Sequence, residues 1–249
     1  MRPAGWLVLT LAWFSAVSAA RAGNVANLSA DWSDSNNPNT ASFGTWSYRQ
    51  GTSLLPEVPN WNGDNTAGFT QPAWAPSNNA GDFLPVELKA QNTVGDWQVG
   101  DVVVHTTDGA NGDSNGPANF LWTSPNTGTV TISGDVWAGF VVSGRDNMWT
   151  LFVNGIAVSS GTDIDSYTRA NPFLFSDGTG GSAALVQNVT AGSTIDLQIA
   201  RTSTLGSFVG ASLTITEAST VPEPSSVILG GLAVSIFAIT ALARRIRTV

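Results

Sequence analysis

The chain has 249 residues, a formal net charge of −8, no cysteine and a single histidine, His105. Without cysteine there are no disulfides, thiolate metal sites, iron–sulfur clusters or cysteine nucleophiles, and one imidazole rules out histidine-rich metal sites. Between residues 23 and 220, 17 carboxylates face five basic side chains (Arg49, Lys89, Arg145, Arg169, Arg201), a net −12 that repels phosphate backbones and argues against nucleic acid as a partner.

The first 22 residues read as a secretory signal helix. Met1-Arg2 is a short positive start, Ala4 to Val17 is apolar apart from Thr10 and Ser15, and Ala20-Arg21-Ala22 offers a small-x-small site before Gly23. Cleavage is expected between Ala22 and Gly23, with cuts after Ala19 or Ala20 as alternatives because Arg21 is unusual so close to the site. The body of the chain after it is therefore expected outside the cytoplasm.

Residues 23–217 form one domain, long enough to bury its own core. Its first part, 23–100, reads as loop-rich, with short strands around Gly44 to Arg49 and Trp97 to Val99. Turn clusters such as Asn36-Asn37-Pro38-Asn39 and Pro76-Ser77-Asn78-Asn79 interrupt it. From 101 to 217 regular strands are expected: Asp101–Thr106, Asn119–Ser124, Thr129–Ser133, Val136–Ser143, Met148–Val153, Leu185–Thr190, Thr194–Ala200 and Phe208–Thr216. Asn154-Gly155, between Leu151-Phe152-Val153 and Ile156-Ala157-Val158, suits a type I′ hairpin turn because both residues tolerate positive φ. Eight or more short strands, with no helices between them and no fixed repeat, predict an all-β fold. The expected form is an antiparallel β-sandwich of jelly-roll type.

The chain closes on a linker (218–226), an uncharged stretch (227–243) and a basic stop (244–249). Pro222 and Pro224 keep a helix from starting before about Ser225. The 17 residues from Val227 to Ala243 carry no charge and, at about 1.5 Å each, reach roughly 25 Å as a transmembrane helix. Arg244, Arg245 and Arg247 would stay on the cytoplasmic side. Val221-Pro222-Glu223-Pro224, the apolar span and Arg244-Arg245 together resemble the PEP-CTERM sorting signal of exported bacterial proteins. The resemblance implies membrane anchoring through the tail, processing by an exosortase, and a Gram-negative-type envelope with an exopolysaccharide programme. An ordinary tail anchor is the alternative.

A second resemblance spans residues 40–216. The succession Gly44-Thr45-Trp46-Ser47-Tyr48, His105, Phe120-Leu121-Trp122-Thr123-Ser124-Pro125, Gly128-Thr129-Val130 and Phe152-Val153-Asn154-Gly155 is similar to exported bacterial β-sandwich domains that accompany this tail. Those domains are similar in outline to carbohydrate-binding modules. Where they follow the histidine with proline and glycine, this chain has Thr106-Thr107.

Three groups of side chains could carry chemistry. Tryptophan stacks on the apolar faces of sugars; Trp122, Trp137 and Trp149 lie in predicted strands and are expected in the core. Trp32, Trp61 and Trp74 sit among Asp34, Asn60, Asn62, Asp64 and Asn78, and are expected to form an exposed stacking surface. The loop from Asp108 to Gly116 offers Asp108, Asn111, Asp113 and Asn115 as oxygen ligands for calcium, without the EF-hand spacing; an ordinary surface loop is the alternative. Asp163, Asp165 and Asp177 are a weaker version of the same idea. For catalysis, His105 has no Gly-x-Ser-x-Gly partner, and Gly178–Gly181 follows no strand before a helix. A glycosidase needs two placed carboxylates, and Glu57 and Glu87, the glutamates deep in the domain, lie beside prolines or in loops.

The function expected from the sequence is therefore a non-enzymatic protein of the cell surface or extracellular matrix that binds polysaccharide, with no cofactor. Two alternatives stay open: a structural or adhesive module that binds itself or another protein, and a calcium-dependent enzyme acting on polysaccharide.

Overall fold

A computed structural model of the chain describes residues 23–62, 70–78, 85–107, 117–142 and 144–218. The expected signal helix with Ala22, the sorting motif Val221–Pro224, the apolar span, the basic stop and the calcium loop with Asp108, Asn111, Asp113 and Asn115 lie outside the described residues. Among those residues no helix is long and apolar enough to cross a membrane. The only helical turns among them are three short 3₁₀ segments: Ile164–Ser166, Phe175–Asp177 and Ser182–Leu185.

The domain is all-β. Its strands are β1 (Val25–Asn27), β2 (Asn39–Thr40), β3 (Thr45–Gln50), β4 (Ser53–Leu54), β5 (Glu57–Trp61), β6 (Gln71–Trp74), β7 (Val86–Lys89) and β8 (Val102–His105). They continue as β9 (Ala118–Thr123), β10 (Gly128–Ala138), β11 (Asn147–Val153), β12 (Ile156–Gly161), β13 (Phe173–Leu174), β14 (Val186–Val189), β15 (Thr194–Arg201) and β16 (Phe208–Glu217). Two antiparallel sheets result. The first runs β13-β10-β16-β8-β7-β6-β5, with β1 also on β16 and β14 also on β10; the second runs β12-β11-β15-β9-β3-β2, with β4 on β3.

The core lies between the sheets. Along β15, Ile195, Leu197 and Ile199 are fully buried while Thr194, Asp196 and Gln198 alternate with them. On the opposing sheet, Val130, Ile132 and Val136 of β10 and Val209, Ala211, Leu213 and Ile215 of β16 do the same. Trp46, Tyr48, Phe120, Trp122, Trp149 and Leu151 fill the space between, so Trp122 and Trp149 are core residues as their strands predict. Each fully buried aliphatic or aromatic side chain contributes about 1.5–3 kcal/mol, which is how a cysteine-free domain of this size holds together.

The strands of the C-terminal part fall where period-two alternation places them, with one merger. Thr129–Ser133 and Val136–Ser143 are expected as two strands but form the single β10, paired with β16 from Val130↔Glu217 to Ala138↔Val209. Gly134 sits in the middle at φ 144°, and a Cβ there would lie 2.1 Å from the Ser212 carbonyl oxygen. The glycine is thus a close approach of two backbones rather than a break. Asn154 (φ 50°) and Gly155 (φ 77°) make the expected turn, with Val153 and Ile156 as the closing pair.

The N-terminal part corrects the expectation of a loop-rich region. Residues 53–61, 71–74 and 86–89 supply four strands, three of them (β5, β6, β7) extending the first sheet. Trp97–Val99 is not a strand; Val94 and Trp97 form only an isolated bridge. Trp97 belongs instead to a second apolar cluster with Val58, Trp61, Ala73, Val86, Leu88 and Val103. Val103 faces this cluster while Val102 and Val104 face the main core, so β8 is buried on both faces and shows no alternation.

Candidate functional site

The three tryptophans expected to form an exposed platform do not form one. Trp61 is 6% and Trp74 3% exposed, and Trp32 is half-buried against the main core. The polar residues around them serve a different purpose from exposure. Trp74 Nε1 donates to the Ser33 carbonyl oxygen (3.0 Å) and Trp32 Nε1 to Asp34 Oδ1 (2.7 Å). Both rings flank Tyr48, at centroid distances of 4.3 Å for Trp32 and 5.5 Å for Trp74. Buried indole N–H groups need acceptors, and the Asp- and Ser-rich loop provides them. Trp61 packs edge-on against Phe208 in the second cluster.

His105 and Glu87 are inside as well, whereas Glu57 is exposed. His105 is 3% exposed, edge-on to Phe208 at 4.6 Å. Glu57 and Glu87 lie in strands β5 and β7 rather than loops, and Glu87 is completely buried. Its Oε1 accepts the backbone N–H groups of Asn119 (3.0 Å) and Arg49 (3.3 Å) from the opposite sheet. Burial pushes its carboxyl well above the usual range; those two N–H groups oppose the shift, and Asp196 adds to it. This is a structural carboxyl with no access to substrate.

One open cleft carries the features of a binding site. It has a volume of about 490 Å³, within the 300–1,000 Å³ common for small-ligand sites, and lies between the end of β12 with the turn after it and the segment 173–179. Ser160, Thr162, Ser166 and Thr179 contribute hydroxyls, Asp163 and Asp177 carboxylates, and Tyr167 and Phe173 aromatic rings. The two rings stack at 4.5 Å and 24°.

Backbone bonds fix the walls. The 3₁₀ turn is closed by Ser166 N to the Asp163 carbonyl (3.0 Å) and Tyr167 N to the Ile164 carbonyl (2.9 Å), and Ala138 N donates to the Tyr167 carbonyl (3.1 Å), tying the turn to β10. The opposite wall is held by Thr179 N to the Ser160 carbonyl (2.9 Å) and Ser160 N to Thr179 Oγ1 (3.1 Å). Trp149 lies beneath, packed on Phe173 and Phe175. A Cβ at Gly161 would meet Phe173 Cε1 at 2.4 Å and Trp149 Nε1 at 2.6 Å, and one at Gly178 would meet the Trp149 ring at 2.5 Å. Glycine is required at both places for the floor to close. The Trp149 indole N–H, buried beside Gly161, has no acceptor.

Of the aspartates set aside as weak calcium ligands, Asp163 and Asp177 line the cleft but Asp165 does not. Its Oδ1 is buried without a partner, and burial first, then the nearby Asp146, pushes its carboxyl up to about 6. Among the described residues no cluster of three or more metal-ligating side chains forms. Tyr167, Phe173 and the four hydroxyls carried no sequence signal as a site. The glycines at 161 and 178, unexplained by any turn requirement, were the local trace of it.

Neither a known protein family nor a curated protein matches the sequence. Two solved structures of the catalytic domain of a GH87 α-1,3-glucanase in complex with nigerose are similar at 12% identity and a TM-score of 0.24, covering 77% of this chain. The chain spans 30% of the length of those structures, and so slight a likeness says nothing of what it does.

Proposed function

We propose that this protein is an exported, non-enzymatic component of the cell surface or extracellular matrix that binds polysaccharide through the cleft beside Tyr167. The fold is taken to be a jelly roll. Supporting that, β8-β16-β10 with β13 and β14 beside β10 form a four-position block of the first sheet, which β7, β6 and β5 extend, and β9-β15-β11-β12 a matching block of the second, which β3 and β2 extend. This order follows from eight successive positions wound as two Greek keys. Export and sorting are proposed from the two chain ends: secretion through residues 1–22, anchoring through 227–243, and exosortase processing at Val221-Pro222-Glu223-Pro224.

The single observation that carries the binding reading is one cleft that brings together the half-buried Tyr167 ring, stacked on the buried Phe173, four hydroxyl side chains and two exposed carboxylates. Sugars offer apolar C–H faces to rings and hydroxyls to polar groups, so both halves of the cleft are matched by one ligand class. The non-enzymatic role rests on the sequence, which carries no catalytic motif; of the residues considered there for catalysis, His105 and Glu87 are buried and do not line the cleft.

The test is retention of the full-length chain, in detergent, on matrix polysaccharide, beside a Tyr167→Ala variant and an unrelated β-sandwich. Wild type should be retained and the variant lose most of it. Retention no greater than the unrelated control defeats the reading, and so does recovery of an uncut chain dissolved in the cytosol.

A further inference from the structure

The charge of the cleft is one-sided. Asp163 and Asp177 are exposed, and among the described residues no lysine or arginine lines the cleft. Three other carboxylates of this domain are engaged: Asp101 grips the Arg169 guanidinium at 2.7 and 3.0 Å, Asp34 accepts from Trp32, and Asp31 accepts from Trp46 Nε1 at 3.2 Å. Asp163, by contrast, stands at the N-cap of the Ile164–Ser166 turn and makes no side-chain bond to it. Asp177 has only a 3.4 Å contact from Ser176 Oγ.

The turn does not explain the charge at 163. Its backbone is left-handed, with φ 59° and ψ 42°. Asparagine tolerates that conformation as well as aspartate does, and glycine better. What aspartate adds there is a negative charge at the edge of a cleft that Tyr167 and Phe173 also line. Carboxylates form their strongest hydrogen bonds with charged N–H donors, and the face of a tyrosine ring attracts an ammonium. A uronic acid in the same place would meet two like charges.

We infer that the cleft selects polysaccharide bearing protonated amino sugars over neutral or uronic-acid chains. This narrows the polysaccharide-binding reading above and rests on it. The ammonium sits between Asp163 and Asp177, while the ring's apolar face lies against Tyr167.

Calorimetry on the full-length chain in detergent tests it. The probes are a fully deacetylated glucosamine oligomer, its N-acetylated counterpart of equal length, and oligogalacturonate. The deacetylated oligomer should bind at least about tenfold tighter than the acetylated one, and oligogalacturonate should not bind. Asp163→Asn with Asp177→Asn keeps shape and backbone and should bring the two glucosamine probes to within about threefold of each other. Glu57→Gln with Glu217→Gln removes the same charge elsewhere and should leave the preference intact.

Equal binding of the acetylated oligomer overturns the amino-sugar selectivity and leaves the polysaccharide reading standing. No binding of any sugar removes both. A preference that survives in the aspartate double variant, or disappears in the glutamate one, assigns the effect to bulk charge and overturns the inference. So does cleft-dependent binding of polylysine without the glucosamine oligomer, which would point to a protein partner.

Discussion

Glu87 makes the sharpest physical test of the fold. It leaves β7 in the first sheet and reaches across the sandwich to the backbone N–H groups of Arg49 and Asn119, which are directly opposed in the β3–β9 ladder of the second. Replacing it with alanine strands two N–H groups, each costing about 1–3 kcal/mol, so Glu87→Ala should lose roughly 2–6 kcal/mol. Glutamine keeps an oxygen at the Oε1 position and should lose far less. The pH dependence separates charge from geometry. Burial raises the folded-state value above the ordinary 4.5, so the native state holds the proton more tightly than the unfolded chain. The contribution of Glu87 to stability is therefore full below about 4.5 and lost as pH rises through the raised folded value, at no more than about 1.4 kcal/mol per pH unit.

Asp165, Asp135 and Asp196 are raised for the same first reason, burial, and bend the wild-type curve in the same direction. The difference between wild type and Glu87→Gln isolates the one group. Urea unfolding across a pH series should show Glu87→Gln gaining on wild type with rising pH. Equal slopes for the two proteins, or a glutamine variant as unstable as the alanine one, would refute a buried, proton-holding carboxyl.

Further outcomes follow from the packing. Trp122 Nε1 donates to the Phe43 carbonyl oxygen at 2.9 Å, whereas Trp149 Nε1 has no acceptor, and both rings are fully buried. Trp122→Phe should therefore cost about 1–3 kcal/mol more than Trp149→Phe in denaturant unfolding. Gly155→Ala meets no atom within 4 Å, so its cost is conformational alone, about 1–2 kcal/mol with an unchanged far-ultraviolet spectrum. Seven of the eight tryptophans between residues 23 and 220 are 6% exposed or less, so emission should be blue-shifted and acrylamide quenching weak until the domain unfolds. Strong quenching of the native protein would contradict the burial of Trp61 and Trp74.

Legibility in the sequence followed the number of buried faces. β10, β15 and β16 bury one face over most of their length, so Val130, Ile132, Ile195, Leu197, Ile199, Leu213 and Ile215 wrote their strands in period two. Asn154-Gly155 wrote its turn because its backbone angles demand those residues. β6 and β8 carry apolar groups on both faces, with Ala73 and Val103 on one and Trp74, Val102 and Val104 on the other, and the alternation vanishes; β7 alternates Val86 and Leu88 with Glu87 and Lys89, but over four residues only. β5 also holds Pro59, a residue that reads as a loop and is tolerated on an outermost strand because the missing N–H would face solvent. Tryptophan exposure is not legible for a related reason: a polar neighbourhood marks either a wet ring or a buried ring with a satisfied N–H, and residue type alone does not separate the two. The cleft lay deeper still. Tyr167 and Phe173 belong to different walls, and their stack exists because Tyr167 is tied to Ala138 on β10 while Phe173 opposes Val136 on the same strand. A site assembled by one strand holding two loops leaves no periodic trace, only glycines whose small size no turn requires. In this chain Gly161 and Gly178 are such glycines, and each marks a place where Trp149 closes the floor.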